Sequence, residues 1–268
     1  MNHNLANMLK VAEGRYLATA EKELFKSYYE GLPARLAHAE DIEKQEAAII
    51  KQTADTFYAK FPNMLQISDS RAKTERDMAY LLRTVTNAMV QQDYTEAIPK
   101  VRFIFDIFDR LNFESGSMAF AYATLQNEVK NHVSNDAYQS MESFLNLLHP
   151  VRLDAWKELQ QKQSQLIKKL SEHVLSQYPE VQNMHSPEEN LRRDMEALLN
   201  ACGEAMVSQS LQPVRDIKHW LFAFFKGLQF EMDVVHSTYA KAPDLFQEEL
   251  SEATLTLLKP ALEELTRD

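Results

Sequence analysis

The sequence predicts an all-α protein in which one helical domain occurs twice in tandem. Three observations predict this. The chain matches itself at a constant offset of 117 residues (33 to 150, 76 to 193). Apolar residues recur at three- and four-residue steps along most of its length. Only five of the 268 residues are Gly while 45% are hydrophobic, which favours helices with a core over a turn-rich β fold.

The repeat needs no gap. Pro33-Ala34-Arg35-Leu36 becomes Pro150-Val151-Arg152-Leu153, and Phe61-Pro62 becomes Tyr178-Pro179. Arg76-Asp77-Met78 becomes Arg193-Asp194-Met195, Ala88-Met89-Val90 becomes Ala205-Met206-Val207, and Phe113-Glu114 becomes Phe230-Glu231. Tyr122 becomes Tyr239. A unit this long exceeds any solenoid repeat, so each copy is expected to bury its own core. The domains are expected at 32–149 and 150–268. Leu147-Leu148-His149-Pro150-Val151 carries no flexible Gly/Ser linker between them.

Within each copy the elements follow in order. Ile42, Ile49, Ile50, Thr53, Phe57 and Phe61 share one helical face. Met78, Leu81, Leu82, Val85 and Met89 form a second stripe, repeated by Met195, Leu198, Leu199, Cys202 and Met206. Val101, Ile104, Phe105, Phe108 and Leu111, with Phe103 and Ile107, make a third helix that is apolar nearly all round and expected to be deeply buried. Its repeat carries Trp220, Leu221, Phe222, Phe224, Phe225 and Leu228. Tyr122, Leu125 and Val129, then Phe144, Leu145 and Leu148, continue into two more helices. Pro62 and Pro179 end first helices, and Pro33 and Pro150 open the copies. Ser68-Asp69-Ser70 and Ser186-Pro187-Glu188 are expected to cap the second helices. Residues 1–31 have no repeat partner. Their apolar Leu5, Leu9, Tyr16, Leu17, Phe25 and Tyr28 predict a helical hairpin, with a bend at Gly14, that must pack on something.

Composition narrows the function. A net charge of −10 speaks against non-specific nucleic-acid binding. No apolar run reaches the roughly 18 residues of a membrane span, and Met1-Asn2-His3-Asn4 opens no signal peptide, so a cytoplasmic protein is expected. One Cys excludes an internal disulfide framework. Cys202 falls on an apolar stripe and reads as a small buried hydrophobe. No phosphate loop, His-Glu-x-x-His motif or nucleophile elbow is present, so no enzyme and no metal site are expected.

Several segments resemble the phycobiliproteins. Glu13-Gly14-Arg15-Tyr16-Leu17 is similar to the Ala-Arg-Tyr-Leu segment after their first helix, and Ile49 to Asp55 is similar to their Ile-Val-Lys-Gln-Ala-Gly-Asp helix. Most specifically, Thr74-Glu75-Arg76-Asp77-Met78-Ala79-Tyr80-Leu81-Leu82-Arg83-Thr84-Val85-Thr86 resembles their bilin-bearing helix, Cys-x-Arg-Asp-x-x-Tyr-Tyr-Leu-Arg-x-Val-Thr. The resemblance implies an all-α protein of two tandem globin-like (phycobiliprotein-like) helical domains, the first preceded by a helical hairpin. Within that family it is closest in kind to the non-photosynthetic members called bilin-biosynthesis-associated globins.

The resemblance also implies a ligand and a site. In the family the Arg contacts a bilin propionate and the Asp accepts from pyrrole N–H groups, chemistry that suits a bidentate cation and an acceptor-only carboxylate. The matching positions are Arg76 and Asp77, with Tyr80 and Arg83 on the same segment, and Arg193 and Asp194 in the second copy. The second copy has Ala197 and Asn200 at the Tyr80 and Arg83 positions. The attachment Cys is replaced by Thr74 and Leu191, neither of which can form a thioether. The expected function is therefore non-catalytic, non-covalent binding of a linear tetrapyrrole for carriage, storage or sensing. The alternative is a ligand-free globin-type scaffold or sensory module acting through protein contacts. Haem is a weaker option: His219 is placed for it, but its repeat partner is Arg102, and no His occurs in both copies. The family's use of the hairpin in subunit pairing implies one of two arrangements, the hairpin folded onto the second domain of its own chain or a homodimer through it, and the direct connection at His149-Pro150 favours the homodimer.

Overall fold

A computed structural model describes residues 3–12, 14–110, 116–183, 186–227 and 233–267. All regular structure among the described residues is helical. Eleven helices occur there: α1 His3–Val11, α2 Thr19–Lys60, α3 Ser70–Gln91, α4 Ala97–Arg110, α5 Ser117–His132, α6 Asn135–Leu145, α7 Pro150–Gln177, α8 Pro187–Ser208, α9 Gln212–Gly227, α10 Asp233–Glu249 and α11 Glu252–Thr266. Short 3-10 turns at Pro62–Gln66 and Pro179–Asn183 follow α2 and α7. The chain forms two compact units, one of Met1–Val11 with Leu24–Pro150 and one of Ala12–Glu23 with Val151–Asp268.

The elements recur at the sequence offset. α3 and α8 start and end 117 residues apart, as do the two 3-10 turns. Left-handed residues recur too: Asp69 (φ 58°) and Ser186 (φ 48°) before these helices, and Gln92 (φ 49°) and Gln209 (φ 54°) after them. Tertiary clasps follow the same register. In the first unit Asp41 Oδ2 accepts from the Ser134 backbone N–H at 2.9 Å. In the second, Glu158 Oε1 accepts from the Ser251 N–H at 2.7 Å. Each carboxylate joins the first long helix to the cap of the last one, whose serine also accepts from the N–H three residues on.

The apolar stripes form the cores. Ile42, Ile49, Ile50, Thr53, Phe57 and Phe61 are all buried, as are Met78, Leu81, Leu82, Val85 and Met89 and their repeats Met195, Leu198, Leu199, Cys202 and Met206. Tyr122, Leu125, Val129, Phe144, Leu145 and Leu148 are buried too.

Three expectations are corrected. Pro33, expected as punctuation at the opening of the first copy, lies inside the continuous α2. A proline removes one helical hydrogen bond but does not stop a helix that tertiary packing holds on both sides. Arg35 supplies part of that packing, donating to the carbonyls of Tyr28 at 2.8 Å and Val90 at 2.9 Å. Next, Asp69 and Ser186 precede their helices as expected, yet neither side chain caps. Capping needs extended backbone at that residue, and both are left-handed. Finally, the third helix is not buried all round: Val101, Ile104 and Phe105 are inside, but Phe103 is 66% and Ile107 40% exposed. Phe108, Leu111, Phe113, Phe224, Phe225, Leu228 and Phe230 lie outside the described side chains.

The N-terminal bend falls at Gly14, whose φ of +84° an L residue rarely adopts. Leu5, Met8, Ala12 and Tyr28 are buried, while Leu9 and Tyr16 are exposed. Glu21, buried at the start of α2, accepts from the Ala18 N–H at 2.7 Å and receives both Arg15 terminal nitrogens, at 2.9 and 2.7 Å. The Arg15 bonds hold its carboxyl below the ordinary range, helped by Trp220 of the same unit.

Candidate functional site

The segment that carries the site is the first half of α3. Its buried edge, Met78, Leu81, Leu82 and Val85, fixes the helix on the core. The opposite edge then has to face outward, since a helix turns 3.6 residues per revolution. Arg76, Tyr80 and Arg83 stand on that outward edge, all exposed, and Asp77 lies between the two. Arg76 Nε donates to Asp77 Oδ1 at 2.9 Å, and its Nη2 reaches the same oxygen at 2.8 Å. Both contacts fall on Oδ1, and the Asp77 side chain keeps partial exposure.

Arg83 is engaged elsewhere. Its Nε donates to Glu46 Oε2 at 2.8 Å and its Nη2 to Glu46 Oε1, a bidentate clasp of α3 on α2 that makes the guanidinium more basic. Thr74, at the attachment position, shares a hydrogen bond of 2.9 Å with the Tyr58 hydroxyl. One turn before Arg76 an open cleft of about 370 Å³ is lined by Leu65, Ile67, Ser70, Arg71 and Glu75 among others. Arg71 is tied there to Asp55 and to Glu75, the latter at 2.9 Å. Arg76 and Asp77 are not part of this lining, and no aromatic side chain is.

The second unit repeats the pair with a different environment. Arg193 donates from Nε at 3.0 Å and Nη2 at 2.9 Å to Asp194 Oδ1. Asp194 itself is buried. Burial raises its pKa, opposed by Arg193. Close by is Tyr239, buried, with a hydroxyl that has no hydrogen-bond partner among the described residues. Burial and the neighbouring Cys202 and Asp194 push its ionisation up. Its ring meets Phe222 edge-on at 6.0 Å, and in the first unit Tyr122 meets Phe105 in a tilted contact at 4.5 Å. Leu191, at the attachment position, is buried. Cys202 is a free, buried thiol with its pKa pushed up to about 12 by burial.

The sequence thus placed Arg76, Asp77, Arg193 and Asp194 as adjacent pairs. It gave no sign that Glu46 holds Arg83, because that carboxylate lies 37 residues away. It also missed Tyr239 as a polar group, although the repeated Tyr122/Tyr239 pair was a visible signal. Among the described residues no cluster of three or more His, Cys, Asp or Glu is placed to hold a metal ion. No described helix is long and apolar enough to cross a membrane.

Comparison with known proteins bears on this site. The family described as Phycobilisome protein matches residues 11–150. The allophycocyanin alpha chain of Synechocystis sp. is 34% identical over 90 residues, covering 31% of this chain and 56% of that protein. The allophycocyanin alpha chain of Anabaena cylindrica is 32% identical over 90 residues, with the same coverage. The allophycocyanin subunit beta-18 of Synechocystis sp. is 31% identical over 86 residues, covering 30% of this chain and 51% of that subunit. The chain therefore spans little more than half the length of the relatives it matches.

Proposed function

Because the chain belongs to the phycobilisome protein family, we propose that it binds a linear tetrapyrrole, a bilin, non-covalently and without catalysis, for carriage, storage or sensing. The observation that carries this reading is the Arg-Asp pair at the same place on α3 and α8, beside Thr74 and Leu191 where a thioether would need Cys. A bilin offers propionate carboxylates and pyrrole N–H donors. Arg76 is exposed for the first, and the partly exposed Asp77 carboxylate is an acceptor for the second. In the second unit, Asp194 is a buried carboxylate with an unpartnered Tyr239 hydroxyl nearby, two groups that a ligand carrying both N–H and carbonyl groups would satisfy. Tyr80 stands beside the first pair as a stacking surface. Arg83, held by Glu46, contributes through the position of α3 rather than through a free guanidinium.

The ligand-free scaffold reading is favoured by one observation: the cleft lined by Leu65, Ile67, Arg71 and Glu75 has no aromatic wall. Co-expression with a bilin-producing pathway separates the two. Binding should give a visible absorbance band that co-purifies with the protein, and no zinc-fluorescent band on a denaturing gel. Titration of Arg76→Ala, Asp77→Ala and Asp194→Ala should then show about ten- to hundredfold weaker binding wherever the site is used. A fluorescent adduct that survives denaturation would refute non-covalent binding, and no affinity in any form leaves the scaffold reading.

Pairing is part of the proposal. A homodimer through the N-terminal hairpin was motivated by apolar residues in need of cover. Within the chain, Leu5, Met8 and Tyr28 are already covered, and Leu9 and Tyr16 remain exposed as the apolar residues of the hairpin that a partner would cover.

A further inference from the structure

The internal repeat places one polar pair in two surroundings. α3 and α8 run in register at 117 residues, and the buried stripe Met78, Leu81, Leu82, Val85 and Met89 meets the buried stripe Met195, Leu198, Leu199, Cys202 and Met206. Beside these shared stripes the helices differ. The Asp77 side chain is 25% exposed, that of Asp194 only 8%. Thr74 is half-buried where Leu191 is buried, and Tyr80 is exposed where Ala197 is half-buried. The carboxylate of the first unit keeps contact with water, and that of the second is enclosed.

An enclosed carboxylate has lost the water that stabilises its charge, so its neutral form is favoured. Little replaces that water here. Among the described residues both hydrogen bonds to Asp194 come from Arg193 and end on one oxygen, Oδ1. Asp194 accordingly holds its proton more tightly than an ordinary carboxyl group. Tyr239, brought close by α10, has a buried hydroxyl without a partner among the described residues. Its ionisation is pushed up, so the phenol remains a donor. The other titratable group near it is Cys202, a buried thiol on α8. α9, α11 and the turn Pro179–Asn183 also pack on α8, and among the described residues none of them adds a charge that acts on Asp194.

Two groups thus lack partners in the second unit, a carboxylate short of donors and a hydroxyl short of an acceptor. A bilin carries both complements, pyrrole N–H donors and carbonyl acceptors. N–H donors stabilise the ionised carboxylate and so displace its proton.

We propose that the bilin site of the second unit is proton-linked: Tyr239 donates to a bilin carbonyl, the pyrrole N–H groups donate to Asp194, and Asp194 releases its proton to solvent as the ligand binds. This rests on the reading of the chain as a bilin binder and adds a regulation to one of its two sites. Binding there weakens as pH falls through the free-state pKa of Asp194, by up to about tenfold per pH unit, the limit for one linked proton. Asp77, partly exposed, keeps water as an alternative partner, so the linkage belongs to the enclosed site.

The test uses the full chain with biliverdin as the probe. Asp77→Ala isolates the second site, and Asp77→Ala with Asp194→Asn is its non-titrating counterpart. Between pH 8 and pH 4.5 the first should lose affinity on acidification and the second should show a flatter profile, since titration of biliverdin itself is common to both. Calorimetry in two buffers of different ionisation heat should find up to about one proton released per bilin by Asp77→Ala and fewer by the double variant. Tyr239→Phe in the Asp77→Ala chain should weaken binding about tenfold and keep the pH slope. Equal pH profiles with and without Asp194→Asn, no proton release, or a Tyr239→Phe chain that binds as tightly as its parent overturns the proposal. So does loss of all binding in Asp77→Ala while the wild-type chain binds, an outcome that leaves the bilin reading intact with the first unit as its site. A wild-type chain without affinity overturns both readings.

Discussion

Glu46 and Arg83 close a bidentate clasp between α2 and α3, and the second unit keeps the same clasp in neutral form. There Gln163 Nε2 donates to Asn200 Oδ1 at 3.0 Å, 117 residues along at both ends. A contact that persists when its charges are removed is a device for positioning helices. Arg83 thus belongs to the architecture of the site more than to its ligand chemistry. The expected outcome is that Arg83→Gln leaves bilin affinity within about twofold and lowers the melting temperature by only about 1–2 °C, since exposed ion pairs contribute little. Titration and a thermal melt check both parts; a loss of affinity matching that of Asp77→Ala would make Arg83 a ligand contact.

Asp194 gives a pH signature. Burial raises its folded-state pKa above the ordinary value of 3.8. The folded state therefore holds the proton more tightly than the unfolded one, and the stability linked to it is complete below that value and lost as pH rises through the folded pKa. Asp194→Asn removes the loss. The variant should melt higher than wild type at pH 7, and the difference should vanish towards pH 4. Equal melting temperatures at both values would mean that Asp194 is solvated.

Glu21 works with the opposite sign. Arg15, the Ala18 N–H and Trp220 hold its carboxyl below the ordinary value of 4.5. Its stabilisation is complete above that value and is lost as pH falls through the lowered folded pKa. The chain has two tryptophans. With Trp156→Phe, emission from Trp220 reports on this contact alone. Acidification below pH 4.5 should shift that emission, and Glu21→Gln should show the shifted spectrum already at pH 7. Emission that is unchanged by the substitution would place Glu21 away from Trp220.

Gly203 marks a close helix approach in the second unit. A Cβ there would meet Leu159 Cδ2 at 3.1 Å and Trp156 Cδ1 at 3.3 Å. Alanine gains about 0.5–1 kcal/mol in helix preference, but overpacking a rigid core costs about 1–3 kcal/mol. Leu159 is fully buried and has little room to yield. Gly203→Ala should therefore lose about 1 kcal/mol in denaturant unfolding; a gain would mean that Trp156 moves aside freely.

The sequence by itself determined the helical class, the repeat with its register, the core stripes and the Arg-Asp pairs. These are properties of local spacing: apolar periodicity decides which side of a helix is buried, and a gapless offset carries every position to its copy. Tertiary structure alone decided the rest. Whether Arg83 is free depends on Glu46, a residue far off in sequence that α2 brings alongside. Whether the Arg-Asp carboxylate is solvated, as Asp77 is in part, or buried, as Asp194 is, depends on which side chains surround it. Whether the apolar side chains all round the third helix are buried depends on what packs on each side of it, and Phe103 and Ile107 are exposed while Val101, Ile104 and Phe105 are inside. In each case the deciding contact joins residues distant in the chain, and desolvation is a property of that assembled surrounding rather than of the residue itself.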